Sequence, residues 1–129
     1  MKTIQLEYKI KAPVAAVWRA LTDPVVINQW GAGPAKMSAY LEDFSIWGGD
    51  IHGKNIEVVD YKLLVQDWYS DDWTLPSKVT FTLLTDKDNT VVKLLHEFFP
   101  EDRYKDLKEG WEQFYLRPIK KLLEAEYKN

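Results

Sequence analysis

The sequence contains no cysteine among its 129 residues. This absence excludes disulfide bonds, thiolate metal sites and cysteine nucleophiles, and it suits a reducing compartment, so we expect a cytoplasmic protein. Positive charge is scarce as well, because 17 lysines and arginines are outnumbered by 20 acidic residues. The net charge of -3 provides no overall positive field, and we therefore expect no nucleic-acid partner.

Long apolar runs, internal repeats and flexible linkers are also missing. A membrane span or a signal peptide needs a longer apolar stretch than any found here, so we expect no membrane span. No low-complexity or Ser/Gly-rich segment divides the chain. Its length suffices for one hydrophobic core, and we predict a single domain over residues 1–129, with the monomer as the favoured state.

Alternating apolar and polar residues predict the strands. Residues 4–10 alternate strictly, which indicates a strand with one buried face. From about Ala35 a period of two continues for roughly sixty residues. Gly48-Gly49 interrupts it and is predicted to form a sharp bend, and Asp86 to Asn89 is predicted to form a hairpin turn. This pattern favours an antiparallel meander.

Helical spacing predicts two short helices after the first strand and one long helix at the end. Pro13 suits a first helical turn, Asp23-Pro24 ends the first helix, and Gly31 ends the second. The long amphipathic helix covers about Asp102 to Tyr127. Inside it, Pro118 removes a backbone donor and is predicted to kink the preceding turn at 114–117. Gly110 lowers helix propensity, and we predict that the helix approaches the sheet closely there.

The order of these elements, together with nine short motifs, resembles a known fold family. The motifs are Ala12-Pro13, Val17-Trp18, Leu21-Thr22-Asp23-Pro24, Trp30, Phe44-Ser45-Ile46-Trp47-Gly48-Gly49, Gly53, Trp68, Val79-Thr80-Phe81-Thr82-Leu83 and Gly110-Trp111. In this order they resemble the START-like, or SRPBCC, superfamily. Within it, the chain is similar to the group named for the C-terminal domain of the activator of the ninety-kilodalton heat-shock chaperone's ATPase.

The resemblance implies an α+β helix-grip fold, in which a curved antiparallel sheet of about six strands grips a long C-terminal helix. Many members of the superfamily enclose a cavity for an apolar ligand, while others are polyketide cyclases or contact chaperones. The eukaryotic-type activator has an additional N-terminal domain that engages the chaperone. We expect a chain without that domain to retain only a weaker chaperone contact.

His96 is the only candidate for a catalytic group, and it is a weak one. Alternation places it on the apolar face of its strand, where an imidazole can move a proton or polarise a ligand carbonyl. The alternative is a hydrogen-bonded interior histidine, which is favoured because no serine, cysteine or carboxylate is placed to complete a catalytic arrangement. His52 is predicted to lie on the surface.

No metal or cofactor site is predicted. The turn that starts at Asp86 begins like a calcium loop, but Val91 stands where the loop needs glycine. Two distant histidines do not suit zinc, and neither glycine cluster matches a phosphate-binding pattern.

Aromatic residues make up 14% of the chain and provide the remaining lead to function. Single aromatic residues are usually core packing, but as a set they suit a concave apolar site. The predicted cavity lining is Trp30, Phe44, Ile46, Phe81, Leu83, Leu94, His96, Trp111 and Tyr115. Separately, Trp68, Tyr69 and Trp73 are expected in an exposed loop, either as a protein-contact patch or folded over the end of the sheet.

Three hypotheses of function follow. The first is a non-catalytic module that binds a hydrophobic or amphipathic small molecule in an internal cavity. The second is a co-chaperone-like interaction domain that contacts a heat-shock chaperone in the stress response. The third is an enzyme of the cyclase or hydrolase type that uses His96. The first is favoured on the aromatic content and the resemblance.

Overall fold

The computed structural model describes residues 2–70 and 72–127, and it confirms the predicted antiparallel sheet. Six strands lie in the spatial order β1-β6-β5-β4-β3-β2, and each pairs with its neighbours in antiparallel fashion. Their bounds are β1 Ile4–Ile10, β2 Asp43–Ile46, β3 Ile51–Val59, β4 Leu63–Ser70, β5 Ser77–Asp86 and β6 Asn89–Glu97. The consecutive strands β2 to β6 form the predicted meander, and β1 joins at its far edge.

Alternation decides which face of the sheet is buried. In β5, the side chains of Val79, Phe81 and Leu83 are buried on one face, while the threonines between them are partly exposed. In β6, the buried set includes Leu94 and His96. Because successive side chains of a strand point to opposite faces, these residues form the floor of the core beneath the long helix.

The predicted bend after β2 is a tight turn in which three successive residues have positive φ. Trp47 has φ 51°, Gly48 has 68° and Gly49 has 104°, so the chain reverses sharply into β3. Six residues after Trp47, a Cβ at Gly53 would collide with the backbone carbonyl of Asp67 in β4. The close approach of β3 and β4 therefore depends on glycine at this position.

Two short helices follow β1, as predicted: α1 Val14–Thr22 and α2 Pro24–Trp30. Asp23 caps α2, because its carboxylate accepts a hydrogen bond from the backbone N–H of Val25 at 2.9 Å. The strand predicted from Ala35 is wrong over residues 35–42. This segment is irregular apart from one bridge between Lys36 and Ser45.

The C-terminal helix runs as α3 Tyr104–Gly110, a π-helical turn Trp111–Leu116, and α4 Arg117–Glu126. This widened turn overlaps the segment where Pro118 was predicted to produce a kink. Proline lacks the N–H that the preceding turn needs and crowds its carbonyl, and a wider turn accommodates both effects. Two hydrogen bonds hold α4 against the end of β1 and the residue after it: the ammonium of Lys120 donates to the carbonyl of Lys9 at 2.7 Å, and the N–H of Lys11 donates to the carboxylate of Glu124 at 3.0 Å.

Candidate functional site

A pocket of about 290 Å³ opens between the C-terminal helix and the turn that joins β2 to β3. Its size lies near the lower end of the range for small-molecule sites. The exposed side chains of Asp106 and Phe114 mark its mouth. The lining consists of Trp47, Ile51, Trp68, Asp106, Leu107, Gly110, Trp111, Phe114 and Tyr115.

The helix contributes its side of the pocket through regular spacing. Leu107, Gly110, Trp111, Phe114 and Tyr115 follow one another at intervals of three and one, which places them on one face of the helix. The opposite side comes from the sheet and from the turn after β2. The pocket therefore lies where this face of the helix passes over the start of β3 and the end of β4.

Gly110 is an open position in the pocket wall, and the predicted close approach of helix and sheet at this residue is wrong. A Cβ added there would meet no atom within 4 Å. The next residue, Trp111, fills the space between helix and sheet instead, and it is 3% exposed. The missing side chain of Gly110 therefore leaves room that a ligand can occupy.

The aromatic rings of the pocket support one another. Trp68 and Trp111 stack with their centroids 4.7 Å apart and an interplanar angle of 24°. Trp111 also meets Tyr115 at 4.7 Å and 51°, and Trp47 meets Tyr115 edge-on at 6.2 Å and 76°. Rings at these separations attract one another and fill the space between helix and sheet. Burial also raises the pKa of Tyr115 above its ordinary value, which keeps its hydroxyl protonated.

Of the nine residues predicted to line a cavity, Trp111 and Tyr115 line the pocket. The other seven pack into the core, each 6% exposed or less: Trp30, Phe44, Ile46, Phe81, Leu83, Leu94 and His96. Trp30 shows the reason, since its indole donates to the carbonyl of Ala20 at 2.8 Å and its ring contacts Tyr115 at 4.7 Å. These seven side chains therefore pack within the core, and the pocket lies at one end of it.

The expectation of an exposed aromatic loop after residue 67 is also wrong for Trp68. Pairing with β3 extends β4 to Ser70 and turns Trp68 inward, where it is 3% exposed. Tyr69 lies in the same strand, is partly buried and stacks on exposed His52 at 5.6 Å. Trp73 does lie in the loop, but it packs partly against the core, and its ring N–H has no hydrogen-bond partner among residues 2–70 and 72–127.

Sequence reasoning missed Trp47, Ile51, Leu107, Gly110 and Phe114 as lining residues, along with Asp106 at the mouth, and it expected Trp68 in an exposed loop instead. A signal was present for two of them, because Leu107 and Phe114 belong to the same helical stripe as Trp111. Trp47 was interpreted only as part of a bend. The indole N–H of Trp47 donates to the carbonyl of Gly31 at 3.1 Å, which holds the ring over the end of the core.

A buried chain of hydrogen bonds, called the His96 relay below, anchors Trp111. Its indole N–H donates to Nδ1 of His96 at 3.0 Å, so Nδ1 carries no proton. Nε2 of His96 therefore carries the proton and donates to the hydroxyl of Ser77 at 2.8 Å. The Ser77 hydroxyl then donates to the carbonyl of Trp68 at 3.1 Å. Both ring nitrogens of His96 are thus engaged within the protein.

Burial also keeps His96 neutral. It lowers the pKa of the imidazole from 6.5 to about 3, because a charged ring would lose its hydration inside the core. His96 does not line the pocket. The geometry matches a hydrogen-bonded interior histidine, which supports the indole of Trp111 and has no free nitrogen for proton transfer to a ligand.

A second buried chain of hydrogen bonds anchors Trp68, and no motif in the sequence indicated it. The indole N–H of Trp68 donates to Oε1 of Gln66 at 2.8 Å, and the Gln66 amide donates to Oδ1 of Asn55 at 2.9 Å. The Asn55 amide then donates to the carbonyls of Ser38 and Tyr40, both at 2.9 Å. These bonds fix the rotamer of a second aromatic wall and also hold the irregular segment 35–42.

The remaining site predictions concern metals and membranes. The turn at Asp86 is a two-residue hairpin in which Lys87 has φ 58°. Within residues 2–70 and 72–127, no three histidine or acidic side chains come together in a metal-binding group. In the same part of the chain, no helix has the length and apolar character needed to cross a bilayer.

Comparison with known proteins confirms the resemblance. The family model described as "Activator of Hsp90 ATPase homolog 1-like protein" matches residues 11–124. The activator of 90 kDa heat shock protein ATPase homolog of Dictyostelium discoideum is 35% identical over 80 residues, which cover 60% of this chain and 21% of that protein. Another curated relative is matched over 36% of its length, so the chain spans about a third or less of these two relatives.

Solved structures confirm the helix-grip fold. The crystal structure of an Hsp90 activator from Plasmodium falciparum gives a TM-score of 0.86 at 23% identity and covers 95% of this chain and 96% of that one. A crystal structure from Mesorhizobium loti gives a TM-score of 0.82 at 30% identity and covers 96% and 98% of the two chains. These matches extend over nearly the whole chain.

Proposed function

The chain belongs to the activator of Hsp90 ATPase homolog 1-like family, and we propose that it serves as a binding module for a small apolar molecule. The observation that carries this proposal is the pocket of about 290 Å³ with aromatic walls and an open position at Gly110. An apolar cleft with few polar groups is the usual form of a small-molecule site.

The anchoring of the walls supports binding further. Trp111 is held by the His96 relay, and Trp68 is held by Gln66 and Asn55. Because the rings are already ordered before a ligand arrives, binding costs little side-chain entropy. The apolar surface of the pocket is then available for favourable burial at roughly 25 cal/mol per Å².

The absence of a side chain at Gly110 provides the test. We expect tert-butylbenzene, a neutral apolar probe, to shift the amide signals of Ile51 and Gly110 and the fluorescence of the pocket tryptophans. Gly110→Leu places a side chain in the open space and should abolish these changes, while improved helix propensity preserves the fold. Glu109→Leu adds the same side chain at an exposed neighbouring position outside the pocket lining and should bind the probe as the wild type does.

The proposal fails if the wild type gives no saturable shift with this probe. It also fails if Gly110→Leu binds as well as Glu109→Leu, because the pocket is then not the binding site.

A second function, favoured by the family, is contact with the Hsp90 chaperone in the cytoplasm during stress. The Plasmodium falciparum protein of the same fold carries the name of an Hsp90 activator. We propose that this chain makes such a contact. Titration of the labelled chain with Hsp90 tests it, and spectra that stay unchanged at high chaperone concentration would contradict it.

A further inference from the structure

We infer that the pocket selects ligands with a cationic, alkylated ammonium end over neutral or anionic ligands of the same shape. This inference rests on the proposed function and adds the chemical class of the ligand. It is carried by two features of the lining, a majority of aromatic rings and one carboxylate at the mouth.

Five of the nine lining residues are aromatic: Trp47, Trp68, Trp111, Phe114 and Tyr115. Their planes differ in direction, since Trp47 is tilted by 76° and Trp111 by 51° relative to Tyr115. The five rings therefore present surfaces in several orientations along the pocket. The face of an aromatic ring carries partial negative charge and attracts a cation within about 6 Å of its centre. A set of such walls suits an alkylated ammonium group, whose methyl groups also bury well.

Among the residues that the structure describes, Asp106 is the only charged one in the pocket lining. Its side chain is exposed at the mouth, and within residues 2–70 and 72–127 it forms no ion pair with a lysine or arginine. No basic residue from the described part of the chain lines the pocket, so none of these side chains offsets the carboxylate. A cation in the pocket therefore gains attraction from both the rings and Asp106, and an anionic ligand is repelled by both.

The test compares two probes of nearly the same shape, phenyltrimethylammonium and tert-butylbenzene. The two differ in that a positively charged nitrogen replaces a carbon atom. NMR titration of the wild type, followed at Ile51 and Gly110, yields both dissociation constants. We expect the cation to bind about tenfold more tightly than its neutral analogue. Benzenesulfonate, an anion of similar size, should bind more weakly than either.

Matched variants locate the source of the preference. Asp106→Asn removes the carboxylate at an exposed position and should lower the ratio of the two affinities about threefold. Glu109→Gln makes the same change in net charge on the same helix, outside the lining, and should leave the ratio close to the wild-type value.

The outcomes distinguish the two proposals. If tert-butylbenzene binds in the pocket and phenyltrimethylammonium binds equally or less tightly, the inference of cation selection is overturned and the proposed function stands. If neither probe binds, both are overturned. If the cation is preferred but Asp106→Asn and Glu109→Gln reduce the ratio equally, net charge explains the preference, and the assignment to Asp106 is overturned.

Discussion

Acidification from pH 8 to pH 5 should destabilise this protein through His96. In the folded state, burial lowers the pKa of the imidazole from 6.5 to about 3. The unfolded chain therefore binds a proton below pH 6.5, while the folded chain does not. Above pH 6.5 the imidazole is neutral in both states, and the free energy of unfolding is at its full value. Below pH 6.5 proton binding favours the unfolded chain, so the free energy of unfolding decreases as the pH falls.

The size of the stability loss follows from the difference between the pH of the solution and the ordinary pKa of the imidazole. At pH 5 the solution is 1.5 pH units below the ordinary pKa of 6.5, and each unit is worth about 1.4 kcal/mol, which gives a loss of about 2 kcal/mol. The loss continues until the pH approaches 3, where the folded state also takes up the proton. Urea unfolding at pH 8 and pH 5 measures the difference directly.

A variant without the titrating group isolates the contribution of His96. The amide of His96→Gln can accept from Trp111 and donate to Ser77, but it does not titrate. Its stability should fall by about 2 kcal/mol less than that of the wild type over the same interval. His52→Gln makes the same substitution at an exposed position and serves as the matched control. Equal pH dependence in the wild type and His96→Gln would refute the reasoning.

Three further substitutions test individual packing features by urea unfolding. Gly53→Ala should cost about 2 kcal/mol because its Cβ collides with the carbonyl of Asp67, and a stability equal to that of the wild type would contradict the close strand approach. Gly110→Ala should increase the free energy of unfolding by at most about 1 kcal/mol, because alanine favours the helix and the added Cβ meets no neighbour within 4 Å. A decrease would mean that this space is filled. Trp111→Phe should cost about 2 kcal/mol by leaving Nδ1 of His96 without its donor, whereas no loss would discount that hydrogen bond.

Local patterns accounted for most of the secondary structure. The alternation in β5 and β6 is a property of neighbouring residues, and it correctly placed Phe81 and His96 on the buried face. The irregular segment 35–42 obeys no such local rule. It is held by the amide of Asn55, which lies many residues later in the chain and bonds to the carbonyls of Ser38 and Tyr40. The period of two in residues 35–42 therefore predicted a strand wrongly, because a distant side chain supplies the hydrogen-bond partners that a neighbouring strand would otherwise provide.

The pocket was harder to predict than the fold because its walls come from distant parts of the chain. The stripe that contains Leu107 and Trp111 was visible in the sequence, but nothing local indicated which part of the sheet it covers. Trp68 was expected in an exposed loop, whereas pairing with Gly53 extends the strand and turns its side chain inward. Whether an aromatic ring is buried in the core or lines a pocket depends on how well all the side chains of the core together fill the space between helix and sheet.

The His96 relay connects stability to the pocket, because Trp111 belongs to both. If His96 were protonated in the folded state, Nδ1 would carry a hydrogen that points at the indole N–H of Trp111, and two donors would face each other. Proton uptake therefore requires Trp111 to leave its place in the pocket wall. A ligand that binds only to the intact pocket opposes this movement and stabilises the folded state by mass action. A saturating pocket ligand should thus shift the acid unfolding midpoint to lower pH, and Gly110→Leu should remove that shift while retaining the relay.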